Sequence, residues 1–190
     1  MSAPARYNCV AVTLHWVIAL AFLTMFVIAF TGMELDGKTG EMLLGLKRWD
    51  WYVVHKSLGV AIFVLVALRI VWRFTTQLPT DDTSPKWDVY ISRLNFVLLY
   101  VVMIGMPLTG YVMSAAGGHP INWFWLGELP NLLPLNKPLA STAHDVHTDV
   151  MPIVIYVIVG LHFAGAMFHY FIFKDNVLWK MLPLSCLKRR

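Results

Sequence analysis

Histidine is the residue type in this chain whose number and spacing best suit metal chemistry. The chain has seven histidines, and four of them lie between residues 143 and 174: His144, His147, His162 and His169. From residue 150 to residue 173 there is no Asp, Glu, Lys or Arg, a pattern typical of a membrane-spanning helix. An imidazole inside a membrane is costly unless it binds something, so these histidines are candidate ligands.

The spacing of two of these histidines indicates two separate sites. His147 and His162 are fifteen residues apart, which is roughly 22 Å along a helix and most of the thickness of a hydrocarbon core. One helix therefore offers a nitrogen ligand near each membrane face. Two metal centres at different depths fit this arrangement better than a single centre.

Two further histidines match these depths on other apolar segments. His15 lies near the start of the first segment and His55 near the start of the second. Because successive helices alternate in direction, His15 matches His162 in depth, and His55 matches His147. Two facing imidazoles suit haem b, whose porphyrin supplies the other four nitrogens, whereas zinc requires three or four protein ligands. We therefore predict two bis-histidine haem b groups.

The partner of His55 on the last helix is ambiguous in sequence. His144 is eighteen residues from His162 and falls on the same helical face, whereas His147 falls about 60° away. However, His144 lies one turn closer to the water. Pro152 stands between the two depths, and a proline can change the phase of a helix. We predict that His147 is the ligand, with His144 as the alternative.

Four other residues have weaker assignments. Gly59, one turn after His55, is predicted to leave room for the macrocycle, although glycine also simply permits close helix packing. Arg69 is predicted to bind a haem propionate, since arginine pairs well with carboxylates, with anchoring in lipid head groups as the alternative. His119 is predicted to lie on the surface. His169 is predicted to be solvated or lipid-facing, and contact with a propionate or quinone is the less favoured alternative.

Four apolar helices must position these side chains. Hydrophobic residues make up 58% of the 190 residues and the mean hydropathy is +0.62, which excludes a soluble domain. We predict an all-α integral membrane protein, a single domain over residues 1–190 that forms a four-transmembrane-helix bundle enclosing two b haems. The predicted helices span residues about 10–31, 51–74, 94–114 and 147–173.

Charge and cysteine content set the orientation and exclude other functions. Ten Lys and Arg residues fall at the end of the bundle that carries both termini and five at the other, so both termini are predicted to be cytoplasmic. The net charge of +4 comes from the ends of apolar runs, which suits membrane lipid rather than nucleic acid. Cys9 and Cys186 fall on the cytoplasmic side, so no disulfide is expected. No Cys-x-x-Cys-His motif is present, which excludes covalent c-type haem.

Several short motifs occur in a characteristic order. They are Leu14-His15-Trp16, His55-Lys56-Ser57-Leu58-Gly59, Pro107-Leu108-Thr109-Gly110-Tyr111, Gly160-Leu161-His162 and Lys174-Asp175-Asn176. With these motifs the chain resembles the bacterial cytochrome b561 family over nearly its whole length. Members of that family are four-helix di-haem proteins related to the cytochrome b subunits of nickel–iron hydrogenases and formate dehydrogenases.

This resemblance implies ligands, partners and a location. It places the ligands at His15, His55, His147 and His162, in a protein of the bacterial inner membrane that exchanges electrons with ubiquinone. It also implies superoxide as an electron donor at the periplasmic side. The family usually has its two ligands on the last helix fourteen residues apart, and a one-residue bulge near Pro152 would reconcile the fifteen found here.

Three functions are compatible with these features. The leading hypothesis is electron transfer across the membrane through two b haems, by an electron carrier or a quinone-linked oxidoreductase. The first alternative is an anchor subunit that passes electrons for a partner hydrogenase or dehydrogenase. The second is a non-redox membrane protein, a metal transporter or scaffold, whose histidines bind zinc or nothing.

Overall fold

Four long helices dominate the computed structural model, which describes residues 6–77, 79 and 85–183. The helices that are long and apolar enough to cross a membrane lie at Cys9–Glu34, Arg48–Thr75, Lys86–Ala116 and Lys137–Phe173. They confirm the predicted four-span, all-α architecture. The predicted basic tail, Lys188 to Arg190, and Cys186 lie outside the described residues.

The first two spans are joined by a short hairpin. Helix α1 (Cys9–Phe30) begins at Asn8, whose side-chain oxygen accepts a hydrogen bond from the Ala11 N–H at 2.9 Å. Strands β1 (Met42–Leu43) and β2 (Leu46–Lys47) pair antiparallel before helix α2 (Arg48–Thr75). We call the end of the bundle with this hairpin the hairpin end, and the opposite end, where residues 6 and 183 lie, the terminal end.

The third and fourth spans begin earlier than predicted. Helix α3 (Lys86–Ala116) starts eight residues before the predicted position, and the fourth span starts ten residues before it, at Lys137. The fourth span consists of α4 (Lys137–Asp145), a π-helical turn (Val146–Val150), α5 (Met151–Phe168) and a second π-helical turn (His169–Phe173). Apolar runs reveal only the part of a helix that lies in hydrocarbon, so the polar first turns were predicted as loop.

The helices pack as two halves. One apolar cluster joins α1 to α2 through Ile18, Ile62 and Val66, and a second joins α3 to α5 through Val102, Ile155 and Ile158. Outward-facing apolar side chains remain exposed on the bundle surface, as expected for a surface covered by lipid. A short helix, α6 (Val177–Met181), follows the fourth span, and the Trp16 indole N–H donates to the Met181 carbonyl at 2.8 Å.

Candidate haem sites

The predicted terminal-end pair of histidines is brought together across the two halves of the bundle. His15 of α1 and His162 of α5 have ring centroids 6.1 Å apart, and both side chains are half-buried. Trp16 lies edge-on to His15 with a centroid distance of 5.4 Å, and Phe96 of α3 lies 6.1 Å from His162. One aromatic ring therefore lies beside each histidine of this pair.

The hairpin-end pair has the same separation. His55 of α2 and His147 of the fourth span have ring centroids 6.1 Å apart, with the rings nearly perpendicular at 85°. Both are half-buried. The Nδ1 atom of His147 also lies 3.1 Å from the main-chain carbonyl oxygen of Met106 in α3.

The structure brings His147, rather than His144, against His55. The His144 side chain is 58% exposed and contacts only its neighbour Asp145, at 3.4 Å, among the polar contacts of the described residues. His147 lies within the π-helical turn Val146–Val150, and a π-helical turn holds more residues than an α-helical turn. This is the local bulge predicted beside Pro152, a residue that cannot donate the main-chain hydrogen bond of a regular helix. The extra residue in this turn changes the rotation of one part of the helix relative to the other. The regular helical phase that favoured His144 therefore does not apply.

Gly59 and Arg69 are the two residues, besides the histidines, that were predicted to contact a haem. A Cβ atom added at Gly59 would meet only the Met25 Cε within 4 Å, at 3.7 Å, so the space beside the first turn after His55 is largely open. The Arg69 guanidinium donates a hydrogen bond to the Ala11 carbonyl of α1 at 3.2 Å. Ala11 lies one turn before His15, and the Arg69 side chain is half-buried. Arg69 thus lies inside the bundle beside the terminal-end pair.

The prediction that His169 is solvated or lipid-facing was wrong. His169 is only 7% exposed, its Nδ1 lies 2.6 Å from Asp175 Oδ2, and its Nε2 lies 3.4 Å from Asp88 Oδ1. Asp88 is within reach because α3 begins early, and Asp175 returns to the histidine through a left-handed turn at Lys174, with φ of 54°. Hydropathy does not reveal either feature. His119, by contrast, is exposed as predicted.

The residues at both pairs fit haem b. Within the described ranges there is no cluster of three or more His, Cys, Asp or Glu side chains arranged to hold a metal ion, so each pair offers imidazoles alone. A metal lies about 2 Å from an imidazole nitrogen, and the ring centre is roughly 1 Å further, so imidazoles on opposite sides of one ion have centres about 6 Å apart. Both observed separations match this value.

A family comparison agrees with this chemistry. The family model for prokaryotic cytochrome b561 matches residues 6–184. The chain belongs to the prokaryotic cytochrome b561 family. It is therefore a multi-pass membrane electron-transfer protein of a family that uses haem b.

Three relatives extend the likeness over almost the whole chain. A probable superoxide oxidase of Yersinia pestis is 29% identical, over 94% of this chain and 96% of its own length. The cytochrome b561 homolog 2 of Escherichia coli is 27% identical, over 97% of this chain and 95% of its own length. A cytochrome b562 of Cereibacter sphaeroides is also 27% identical, over 96% of this chain and 98% of its own length.

Proposed function

We propose that this cytochrome b561 holds two b haems, one between His15 and His162 and one between His55 and His147. In this proposal it oxidises superoxide at the hairpin end and reduces ubiquinone at the terminal end. The observation that carries the proposal is the pair of histidine contacts with one ring separation, 6.1 Å, at opposite ends of the bundle. Haem b supplies one-electron redox chemistry when it is bound. With both termini cytoplasmic in the bacterial inner membrane, the hairpin end faces the periplasm.

Arg69 and Gly59 each have a role at one of the two haems in this proposal. Arg69 is placed to pair with a propionate of the terminal-end haem, because its guanidinium lies within the bundle beside both ligands of that pair. Gly59 leaves space for the flat macrocycle of the hairpin-end haem, because only one flexible methionine methyl group lies near its missing side chain.

The overall reaction requires protons at the terminal end. Two superoxide ions each lose one electron and become O₂, and one ubiquinone gains those two electrons and two protons to become ubiquinol. The cluster of Asp88, His169 and Asp175 supports proton delivery, since a buried imidazole with a carboxylate at each nitrogen can hold and transfer a proton. Asp175 also lines an open surface cleft of about 390 Å³, together with Lys174 and Trp179.

The hairpin end carries a cation suited to an anionic donor. Lys56 follows His55 directly, and its half-buried ammonium group donates to the Pro120 carbonyl at 2.8 Å. A fixed positive charge beside the histidine pair would attract superoxide. This attraction is opposed by the acidic residues of the same end, Glu34, Asp36, Glu41 and Asp50. The relative described as a probable superoxide oxidase supports this choice of donor.

Stopped-flow spectroscopy on the purified protein tests the proposal. We expect superoxide to reduce the oxidised protein, superoxide dismutase to prevent this reduction, and a ubiquinone analogue to reoxidise the protein rapidly. Reoxidation by quinone without any reduction by superoxide would remove the donor half of the proposal. A large soluble subunit that co-purifies in mild detergent and is needed for reduction would favour the anchor-subunit alternative. Protein without haem from haem-replete cells would contradict the whole proposal.

A further inference from the structure

Three groups of α3 surround one side of the His147 ring, and we call them the α3 platform. They are the carbonyl oxygen of Met106, the hydroxyl group of Thr109 and the bare backbone of Gly110. His147 Nδ1 lies 3.1 Å from the Met106 oxygen and 3.1 Å from Thr109 Oγ1. The Thr109 hydroxyl itself donates to the same Met106 carbonyl, at 2.9 Å.

These contacts determine which ring nitrogen of His147 carries the proton. A carbonyl oxygen accepts hydrogen bonds and cannot donate them, so Nδ1 must be the donor in its contact with Met106. The Thr109 hydroxyl uses its hydrogen on the same carbonyl, so it too receives the Nδ1 proton. The neutral imidazole then has its lone pair at Nε2, which is the nitrogen left available for a metal.

Gly110 allows the ring to approach the helix so closely. A Cβ atom at this position would lie 2.9 Å from Cε1 of His147 and 3.3 Å from its Nδ1. The first distance is shorter than carbon atoms tolerate, so any side chain here would displace the ring or the helix. A glycine is therefore required for His147 to reach the Met106 carbonyl.

The other ring of this pair has no equivalent support. His55 Nδ1 is buried and has no hydrogen-bond partner among the described residues. The orientation of the pair consequently depends on the α3 platform, which acts on one of its two rings. Ligating histidines in metal sites usually donate their second ring nitrogen to a carbonyl or carboxylate, which makes the imidazole a stronger electron donor.

We propose that Thr109 and Gly110 are positioning residues, which hold His147 on the Met106 carbonyl with Nε2 directed to the iron of the hairpin-end haem. This inference rests on the two-haem function proposed above. A more basic imidazole stabilises ferric iron over ferrous iron, so the α3 platform lowers the reduction potential of this haem. The same contacts slow the dissociation of the haem.

Redox titration of the purified holoprotein, followed by optical and EPR spectroscopy, tests the role of Thr109. In Thr109→Val, we expect the potential of one haem to rise, its ferric EPR signal to shift and its haem to bind about tenfold more weakly. The second haem is expected to keep its wild-type potential. Thr109→Ser restores the hydroxyl and is expected to restore wild-type values. Thr24→Val is the matched control, because among the described residues the exposed Thr24 hydroxyl bonds only to the Leu20 carbonyl of its own helix, at 2.9 Å.

Gly110→Ala is the second variant, and we expect it to lose the hairpin-end haem and keep the other. Gly37→Ala is its control, since Gly37 is exposed in the segment between α1 and α2 and, among the described residues, a Cβ atom there would contact only the Arg48 Cδ, at 3.8 Å. Unchanged potentials in Thr109→Val, equal shifts of both haems, or a Thr109→Ser variant that behaves like valine would overturn the positioning role. The two-haem function would survive these outcomes. A wild-type protein with fewer than two haems would instead contradict both.

Discussion

The two ends of the bundle hold histidine pairs with equal ring separations but position them by different means. At the hairpin end, hydrogen bonds from His147 Nδ1 to the Met106 carbonyl and to the Thr109 hydroxyl orient the ring. At the terminal end, the surroundings of His15 and His162 are aromatic rings and the charge of Arg69. A cation lies beside each pair, Lys56 at the hairpin end and Arg69 at the terminal end, so the hydrogen bonds of His147 distinguish the two ends. A hydrogen-bonded imidazole favours ferric haem. We therefore expect the lower potential at the hairpin end, which makes electron flow toward the terminal end favourable.

Removing one proposed ligand at a time distinguishes the two ends with the largest expected effect. We expect His147→Ala and His162→Ala each to reduce the haem content from two per chain to one, and each to remove a different potential. Haem quantitation and redox titration measure both effects. The control is His144→Ala, because the His144 side chain is exposed and contacts its neighbour Asp145. A haem lost from His144→Ala but kept in His147→Ala would reverse the assignment of the ligand.

The ion pair between Asp175 and the buried His169 distinguishes the terminal end in a second way. Asp175→Asn removes one partner of a histidine that is 7% exposed, so we expect a loss of ~3 kcal/mol in the free energy of unfolding. We also expect slower reduction of ubiquinone, with reduction of the protein by superoxide unchanged. Thermal unfolding and stopped-flow kinetics measure the two effects.

The matched control for Asp175 lies in the exposed pair at the other end. Asp145 contacts His144 at 3.4 Å, with 68% of its own side chain exposed. We expect Asp145→Asn to change stability by less than about 1 kcal/mol and to leave both electron-transfer rates unchanged. Equal effects of Asp145→Asn and Asp175→Asn would show that the buried cluster has no special role.

The loop that covers part of the hairpin end depends on one buried hydroxyl. The Ser57 oxygen lies 2.7 Å from the Val53 carbonyl and 3.0 Å from the Asn122 carbonyl, and it accepts the Phe124 N–H. We expect Ser57→Ala to cost about 2 kcal/mol, because buried loop groups lose their partner. Both haems should be retained. Limited proteolysis should then cut faster within residues 117–136.

An unchanged proteolysis rate in Ser57→Ala would show that this serine does not hold the loop. Thr142→Ala serves as the control, because its exposed hydroxyl bonds to the Pro138 carbonyl of its own helix, at 3.2 Å, and to no other group in the part of the chain that the structure describes.

The smallest expected effect tests the charge at the terminal end. Arg69→Gln should lower the potential of the haem that His162→Ala removes, by on the order of 1 kcal/mol or roughly 40 mV. The hairpin-end haem should not change. Arg48→Gln is the control, since Arg48 is exposed at the opposite end, next to Tyr52. Equal shifts of both haems in Arg69→Gln would show that the charge of Arg69 does not act on the terminal-end haem alone.

Much of this architecture follows from the sequence alone. The four spans are apparent because a bilayer requires about 20 apolar residues per helix, and runs of that length stand out. The depth of each histidine also follows from the sequence, because depth depends only on the number of residues from the end of a helix. The pairing of His15 with His162 by depth agrees with their ring contact in the structure.

The tertiary structure determined the features that depend on how the helices are rotated and how they pack against one another. The π-helical turn Val146–Val150 accompanies the contact of His147 with His55, whereas regular helical phase favoured His144. The early start of α3 and the left-handed turn at Lys174 placed carboxylates on both sides of His169. Depth is a property of a single helix, so composition and spacing determine it. Side-chain partners are a property of several helices packed together, so they require the tertiary structure.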